Sequence, residues 1–316
     1  MAKVEEKIKV IIDTDPGVDD CIALMFFLFS NKVDIKLITT VSGNRPIEIN
    51  TRNTLHLMEK FGKTNIPVAV GAAKPLCRPR KDASFIHAKT GMGKYQPKEP
   101  TIIKPIEMDA VEAMYKTIME NKNEIVLCLM APQTNAAELF TKHPDCIPYI
   151  KEIIFEGGSP YGYKNTRPHI SFNVSSDPEA MTIVLKQDIP TVMIPSEMGR
   201  YHTYIKYDEV MKLKELNDVG KFIYKMFDAY WEPNFEDKRI AMNDSCSYFY
   251  LTDPKMFKGM RGDVHIDCDE YPGKMTIDFN KHGKLKIMMK ANRKKSFKKL
   301  YNMVKSLGDY HFDDVD

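Results

Sequence analysis

Residues 10–20 read VIIDTDPGVDD, in which an apolar run leads through an acidic turn towards a second apolar run. The β-branched run of residues 10–12 is bounded by Pro16 and Gly17, which predicts a short buried strand that ends abruptly. The apolar spacing in residues 21–29 then predicts a helix that packs back over this strand. Strand, acidic turn and helix in this order are the first unit of an α/β fold.

The octet DTDPGVDD, residues 13–20, places four carboxylates within eight residues. Clustered anions raise one another's pKa and repel unless a positive charge lies among them. A hard divalent cation meets that need, since calcium and magnesium prefer oxygen ligands and the octet has no Cys or His for zinc. The alternative is that Asp19 and Asp20 only cap the helix, which leaves Asp13 and Asp15 without a role.

The octet matches the signature DxDPGxDD, and on this basis the chain resembles the inosine-uridine preferring nucleoside hydrolases. The likeness spans residues 8–280 and rests mainly on the octet, on residues 165–180 and on residues 242–246. It implies a mostly parallel, open α/β sheet with flanking helices, a Rossmann-like arrangement, in a single domain over residues 1–316. It also implies calcium-dependent hydrolysis of the N-glycosidic bond of ribonucleosides, which yields ribose and a free base.

Strand-like apolar runs alternate with helix-compatible segments along the chain. The runs lie at residues 8–13, 35–41, 66–70, 125–130, 152–156 and 190–194. Such alternation predicts parallel strands with crossover helices, whose pockets open at the carboxyl ends of the strands. Polar residues follow those ends, which predicts one shared site. Residues 71–100 have little periodicity and are expected to form a flap over it.

The pattern changes from residue 200 onward. It predicts long helices first and then short strands at residues 263–268, 274–279 and 285–289. No linker rich in Gly, Pro or Ser divides this part from the rest, so we expect it to belong to the same domain.

The resemblance assigns four calcium ligands, which are Asp15, Asp20, the backbone carbonyl of Met130, and Asp244. Asp244 precedes a predicted helix, so the alternative for this residue is a plain N-cap. Carboxylates, a carbonyl and water suit the loose coordination of calcium. Asp15 is the candidate general base, which takes the proton from a calcium-bound water as that water attacks the anomeric carbon. Asp13 is expected to orient its neighbours.

The resemblance also assigns residues that contact the substrate, which are Asp19, Asn44, Glu156, Asn165, Ser171, Asn173 and Trp231. An Asn amide offers both a donor and an acceptor, as a sugar hydroxyl requires. Ser171 stands where the family usually has a Glu, and Glu156 stands where a Met is usual, so Glu156 could compensate for the lost carboxylate. Trp231, with Phe227 and Tyr230, is expected near the nucleobase, or else packs inside the protein.

Activation of the leaving base departs from the family pattern. Asn243 stands where many members carry a His, and an amide cannot act as an acid near neutral pH. His87, in the 71–100 segment, is the candidate replacement acid, and His169 is a second one. The alternative for His87 is a hydrogen-bonded surface residue.

The amino-acid composition indicates which partners and which cellular compartment to expect. Lys and Arg total 46 against 43 for Asp and Glu, and a net charge of +3 does not favour nucleic acid as a partner. Six scattered cysteines without zinc-type spacing predict a reducing compartment. No apolar stretch reaches the roughly 18 residues needed to cross a bilayer. We therefore expect a cytoplasmic enzyme for a small ribonucleoside, and the resemblance implies a homodimer or homotetramer.

Other functions stay open at the level of sequence. A divergent family member could act on a modified or non-nucleoside ribosyl compound. The residues at positions 171 and 243 would also fit a ribose-binding protein without activity. An aspartyl phosphatase with Asp13 as nucleophile also begins with DxD after a first strand, but it normally has Thr or Val where this chain has Gly17.

Overall fold

The computed structural model describes residues 6–160, 170–228, 230 and 236–315. The strands in these residues are β1 (Ile8–Thr14), β2 (Val33–Thr40), β3 (Val68–Val70), β4 (Val126–Leu129), β5 (Glu152–Glu156), β6 (Thr191–Ile194), β7 (Ile205–Lys206), β8 (Arg239–Ile240), β9 (Phe257–Ile266), β10 (Met275–Phe279) and β11 (Leu285–Ala291). Nine of them form one sheet in the order β10-β9-β11-β6-β5-β4-β1-β2-β3, while β7 pairs with β8.

The sheet is mostly parallel, as the sequence predicts. The seven strands β11, β6, β5, β4, β1, β2 and β3 run parallel to one another. Strands β9 and β10 extend the sheet beyond β11 in antiparallel pairing. Strand order reverses between β1 and β4, because β2 and β3 extend the sheet on one side and β5 and β6 on the other. In doubly wound sheets a ligand crevice opens at such a reversal.

Helices connect the strands. They are α1 (Val18–Leu28), α2 (Ile47–Lys60), α3 (Ser84–His87), α4 (Ala110–Glu120), α5 (Thr134–Lys142), α6 (Phe172–Ser176), α7 (Pro178–Leu185), α8 (Tyr207–Lys214), α9 (Asp218–Phe227), α10 (Ser245–Thr252) and α11 (Arg293–Ser306). Side chains alternate across β1, so that Val10 and Ile12 join a core with α1, α9 and α10, whereas Ile11 joins a second core with α4 and α5. None of the helices in the described part of the chain is long and apolar enough to cross a membrane.

Helix α1 is buried along its whole length. Its sequence is apolar on all sides after Asp20, which is typical of a helix enclosed by other elements. Phe26 stacks on Tyr248 at 5.3 Å between ring centroids and meets Phe249 edge-on at 4.8 Å. These contacts fix α1 between the sheet and α10, so that its N-terminus lies at the carboxyl end of β1.

The prediction of long helices after residue 200 is wrong. Helices α8 and α9 have only eight and ten residues, and a short non-helical connection separates them. Asn217 begins α9, because its side chain accepts a hydrogen bond from the backbone N–H of Gly220. Helix α8 has already ended at Lys214, so this cap starts a separate helix and not a continuation of α8.

Candidate active site

Three buried carboxylates lie together at the N-terminus of α1. Asp19, Asp20 and Asp244 each offer an oxygen, and these oxygens lie within 4.8 Å of one another. Asp244 occupies the N-cap position of α10, but its side chain makes no capping hydrogen bond. The plain N-cap alternative therefore does not account for its carboxylate. This carboxylate trio (Asp19, Asp20 and Asp244) could hold a metal ion.

Asp15 is held next to the trio by Asn44. The backbone N–H of Asn44 donates to Oδ2 of Asp15 at 2.6 Å, and its Nδ2 donates to Oδ2 of Asp20 at 3.0 Å. A Cβ at Gly43 would lie 2.0 Å from Oδ2 of Asp15, so only glycine permits this close approach. Oδ1 of Asp15 is buried and has no hydrogen-bond partner among the described residues. One oxygen of Asp15 is thus fixed and the other is available.

Asp13 makes two side-chain hydrogen bonds through one oxygen, while its Oδ2, like Oδ1 of Asp15, is buried without a partner among the described residues. Its Oδ1 accepts hydrogen bonds from Thr39 Oγ1 at 2.6 Å and from Asn135 Nδ2 at 2.8 Å. The side chain is entirely buried, and burial raises the pKa of Asp13 to about 7. Its hydrogen bonds to Thr39 on β2 and to Asn135 on α5 suit a residue that orients its neighbours.

Burial and mutual repulsion raise the pKa of the carboxyl groups in this site. Burial, together with the charge of Asp19, raises the pKa of Asp20 to about 6. The pKa of Asp244 is raised well above its usual range by burial first and then by the charge of Asp20. These groups can all be charged near pH 7 only if positive charge lies close to them. An oxygen-lined, acidic site with an unbonded buried oxygen on Asp15 fits a hard divalent cation.

Asn173 connects two other residues singled out in the sequence. Its Nδ2 donates to the backbone carbonyl of Met130 at 3.0 Å and to Oε2 of Glu156 at 2.9 Å. Oε1 of Glu156 accepts a hydrogen bond from Ser196 Oγ at 3.0 Å. Burial raises the pKa of Glu156 to about 8, and the charges of Asp19 and Asp20 act in the same direction. The side-chain amide of Asn173 therefore links the carboxyl end of β4 to that of β5.

Ser171 is buried, but its hydroxyl is engaged inside the protein. Oγ of Ser171 accepts a hydrogen bond from the backbone N–H of Gly158 at 2.7 Å. This bond supports the loop that follows β5, a function the sequence did not indicate.

His87 is buried at the start of α1 and is not the surface residue considered as an alternative. Its Nδ1 accepts a hydrogen bond from the backbone N–H of Val18 at 3.1 Å, and its ring stacks on Tyr230 at 5.1 Å. Burial lowers the pKa of His87 to about 4, so the ring is neutral at pH 7. Since Nδ1 accepts, the hydrogen of the neutral ring is on Nε2.

Asn243 contacts the carboxylate trio. Its Nδ2 lies 3.4 Å from Oδ2 of Asp19, and its Oδ1 is buried without a hydrogen-bond partner in the described part of the chain. Phe227 belongs to the apolar core around α1, which agrees with the packing alternative for that residue. Three residues named in the sequence lie outside the described residues, namely Asn165, His169 and Trp231.

Sequence reasoning missed Arg200. This residue is 5% exposed and lies in the π-helical turn Met198–His202, which follows β6. Its positive charge acts to lower the pKa of both Asp19 and Glu156. The rule that polar residues follow the carboxyl ends of strands was applied only through β5. Extended by one strand, it would have found the polar residues of segment 195–200.

The parallel sheet and the carboxylates buried at its carboxyl edge define an α/β enzyme with an acidic site. The family model of the inosine-uridine preferring nucleoside hydrolases matches residues 10–299, and the chain belongs to this family. The non-specific ribonucleoside hydrolase RihC of Escherichia coli O127:H6 is 34% identical over 251 residues, which are 79% of this chain and 81% of that protein. RihC of Shigella sonnei is 35% identical over the same shares.

Solved structures agree with this assignment. The plant nucleoside hydrolase PpNRh1 superposes with a TM-score of 0.89 and 25% identity, over 95% of this chain and 100% of that chain. The purine-preferring ribonucleoside hydrolase of Gardnerella vaginalis has the same fold, with a TM-score of 0.89 and 22% identity over 96% and 100%. The predicted family and fold class are confirmed. The chain is a ribonucleoside hydrolase, which cleaves an N-ribosyl bond.

Proposed function

We propose that this enzyme uses calcium to hydrolyse common purine and pyrimidine ribonucleosides in nucleoside salvage. The observation that carries the proposal is the carboxylate trio beside Asp15, whose buried Oδ1 has no hydrogen-bond partner among the described residues. The relatives named RihC are described as non-specific ribonucleoside hydrolases, which supports a broad range of bases.

The proposed calcium ligands are Asp15, Asp20, the carbonyl of Met130, and Asp244. Bound there, calcium would orient two ribose hydroxyls and a water molecule. Asp19 belongs to the same trio, and its contact with Asn243 supports a role in holding the ribose at the edge of the metal site. Removing one of these carboxylates should therefore weaken the binding of calcium and the binding of substrate together.

Asp15 is the proposed general base. Because Asn44 occupies Oδ2, Oδ1 remains to take the proton from the water that attacks the anomeric carbon. The C–N bond breaks as the water adds, and its electron pair leaves with the base. The anomeric centre gains positive character on the way, which the surrounding carboxylates stabilise.

Asn44, Asn173 and Glu156 are proposed to hold the ribose, together with Asn165. Glu156 would supply the sugar carboxylate that Ser171 cannot, and its hydrogen bond from Asn173 supports this, since it brings the carboxylate to the carbonyl of Met130. Ser171 borders the same space but is engaged with Gly158, so its contact with the substrate is expected to be weak. Trp231 is proposed to contact the nucleobase.

The leaving base is proposed to be stabilised by hydrogen bonds from neutral groups. His87 offers its Nε2 hydrogen while its ring is held by Val18 and Tyr230, and Asn243 offers an amide. A neutral imidazole donates a hydrogen bond more weakly than an imidazolium. We therefore expect faster cleavage when the leaving group is already a good one.

We further propose that residues 1–316 act as one domain, in the cytoplasm, as a homodimer or homotetramer. All six cysteines are free in the structure, which supports a reducing compartment. Size-exclusion chromatography with light scattering tests the oligomer directly, and a monomer at micromolar concentration would contradict that part of the proposal.

The decisive experiment is a panel of purine and pyrimidine ribonucleosides assayed for reducing sugar with calcium and with chelator. Wild type should lose activity in chelator and regain it with calcium, and Asp15→Ala should lose about 10²-fold or more in kcat, as expected for a lost general base. Asp188→Ala, at an exposed position, is the control. Uniform inactivity would contradict the proposal, and calorimetric ribose binding without turnover would favour the ribose-binding alternative.

A further inference from the structure

Asp314 joins three elements that lie far apart in the sequence. Its Oδ2 accepts a hydrogen bond from the hydroxyl of Tyr95 at 2.6 Å, and its Oδ1 pairs with Nζ of Lys60 in α2 at 2.6 Å. Its backbone carbonyl accepts a hydrogen bond from Nζ of Lys225 in α9 at 3.1 Å. Two of the three partners, Tyr95 and Lys225, belong to segments that border the active site.

The segment around Asp314 is held in place by other contacts as well. Lys60 Nζ lies 3.8 Å from the ring centroid of Phe312, whose backbone N–H donates to Oδ2 of Asp218 at 3.2 Å. The ring of Tyr310 packs against Phe61 at 5.5 Å. A variant that alters only the carboxylate of Asp314 should therefore keep this segment docked.

Tyr95 anchors one end of the expected flap. Its side chain is buried, and its hydroxyl also bonds Nε2 of His56 at 3.0 Å. The neighbouring backbone lies directly on α9, because a Cβ at Gly93 would be 2.0 Å from the carbonyl of Met226. The backbone N–H of Gly93 donates in turn to the carbonyl of His87 at 3.2 Å. Only Lys94 separates Tyr95 from Gly93, whose backbone bonds His87, so a displacement of Tyr95 moves the backbone that holds His87.

His87 and Tyr230 both lie beside the carboxylate trio, because His87 bonds the backbone N–H of Val18 and Tyr230 hydrogen-bonds Asp19. His87 belongs to the 71–100 segment, and Tyr230 lies three residues beyond the end of α9. Their rings stack with 5.1 Å between the centroids. We propose that Asp314 is a positioning residue, which fixes Tyr95 and α9 relative to each other and thereby sets the His87–Tyr230 pair against the substrate. Its effect on catalysis rests on the proposed function, whereas its effect on the flap does not.

The test compares Asp314→Asn and Tyr95→Phe with Asp313→Asn, which changes an exposed neighbour. Hydrogen exchange of peptides from residues 84–96 should be faster by about tenfold or more in both test variants, because local opening is less costly there. Calcium affinity should stay within about twofold of wild type, since neither group contacts a proposed ligand and Tyr230 contacts Asp19, which is not one of them. Asp313→Asn should match wild type in both measurements.

Kinetics then separate positioning from simple stability. With inosine, both variants should lose about tenfold in kcat/KM at a temperature where they remain folded, since misplacement of about 1 Å is costly. With p-nitrophenyl riboside, whose leaving group needs no help, the loss should be about twofold. The double variant should lose no more than either single one, because both act through the same hydrogen bond.

Two results would overturn the inference. One is a lower melting temperature with unchanged exchange in residues 84–96, which would make Asp314 a stabilising residue only. The other is an equal loss on both substrates, which would point to a general defect of the site. If wild type cleaves no ribonucleoside, the proposed function fails, while the exchange and calcium measurements still decide whether Asp314 positions the flap.

Discussion

Asp19, Asp20 and Asp244 are buried close together, so each negative charge raises the free energy of the other two when no cation compensates them. Such sites exchange stability for function, because the same repulsion that destabilises the empty site increases the gain from binding a cation. Each carboxylate of the trio should therefore lower the stability of the protein without the metal and raise it when the metal is bound.

This leads to a prediction for Asp244→Asn. In chelator the variant should melt higher than wild type by about 2 °C or more, because the cost of burying this acid among other acids is removed. In calcium it should melt lower, and calorimetry should give at least about tenfold weaker calcium binding. Asp188→Asn, at an exposed position, should change neither the melting temperature nor the calcium affinity. A variant that melts lower under both conditions would show that Asp244 is structural.

The hydroxyl of Ser171 supports a buried part of the backbone. Ser171→Ala removes the acceptor of a buried backbone N–H, that of Gly158, and should cost about 1–3 kcal/mol of unfolding free energy in urea. KM for a ribonucleoside should change little, since the hydroxyl already has a partner. Ser306→Ala, on an exposed face of α11, is the control. A large rise in KM with unchanged stability would instead assign Ser171 to the substrate.

The sequence predicted which carboxylates lie close together, because most of them are near neighbours along the chain, while their individual roles stay predictions. Asp15, Asp19 and Asp20 lie in one octet, and the structure brings Asp244 to two of them. Arg200 lies outside this octet. Its position after β6 singles out segment 195–200, but nothing local shows that its arginine is buried beside the acids. The engagement of Ser171 with Gly158 likewise depends on a contact between distant segments.

At the scale of elements, Asp177 links three parts of the fold. Its Oδ1 accepts a hydrogen bond from the N–H of Ala180 and so caps α7, while its Oδ2 accepts from the N–H of Leu76 and from Thr134 Oγ1 at the start of α5. The early part of the 71–100 segment is thus tied to two helices through one side chain.

Asp177→Ala should therefore destabilise the protein more than the loss of an ordinary helix cap. We expect a loss of about 2–4 kcal/mol, which combines a cap of about 1 kcal/mol with buried donors left unpaired. Urea unfolding measures this loss, and Asp177→Asn should recover part of it. A cost of less than about 1 kcal/mol would mean that water replaces these bonds.

The strands were predicted better than their pairing. Strands β1 to β6 each coincide with a predicted run, because buried parallel strands are continuous apolar segments. The sequence also marked the regions of β9, β10 and β11, but not that β11 pairs in parallel with β6 and extends the same sheet. That pairing joins segments about 95 residues apart, so no local pattern specifies it.

At the scale of the whole molecule, the buried acids should control stability through pH. The pKa of Asp20 is raised to about 6, that of Asp13 to about 7 and that of Glu156 to about 8, all above their values in an unfolded chain. A group with a raised pKa binds its proton more tightly in the folded state. The stability it contributes is present at low pH and is lost as pH rises through the folded pKa.

In chelator, the melting temperature should therefore fall as pH rises from about 5.5 to about 8. In excess calcium the carboxylates are charged and compensated, so this fall should nearly vanish. Scanning fluorimetry over this range, with wild type and Asp244→Asn, measures both slopes. His87, whose pKa is lowered to about 4, acts in the opposite direction only below about pH 6.5. A slope that is the same with and without calcium would contradict the prediction.

The reversal of strand order between β1 and β4 has a consequence for how this protein could diversify. The acidic groups lie at the ends of β1 and β5 and at the starts of α1 and α10, whereas residues 71–100 are a separate stretch of sequence that brings His87 to the start of α1. Because two different stretches carry these residues, one stretch can be exchanged while the other is kept. Grafting residues 71–100 of a relative onto this chain should redirect the choice of base while the bond-breaking chemistry continues unchanged.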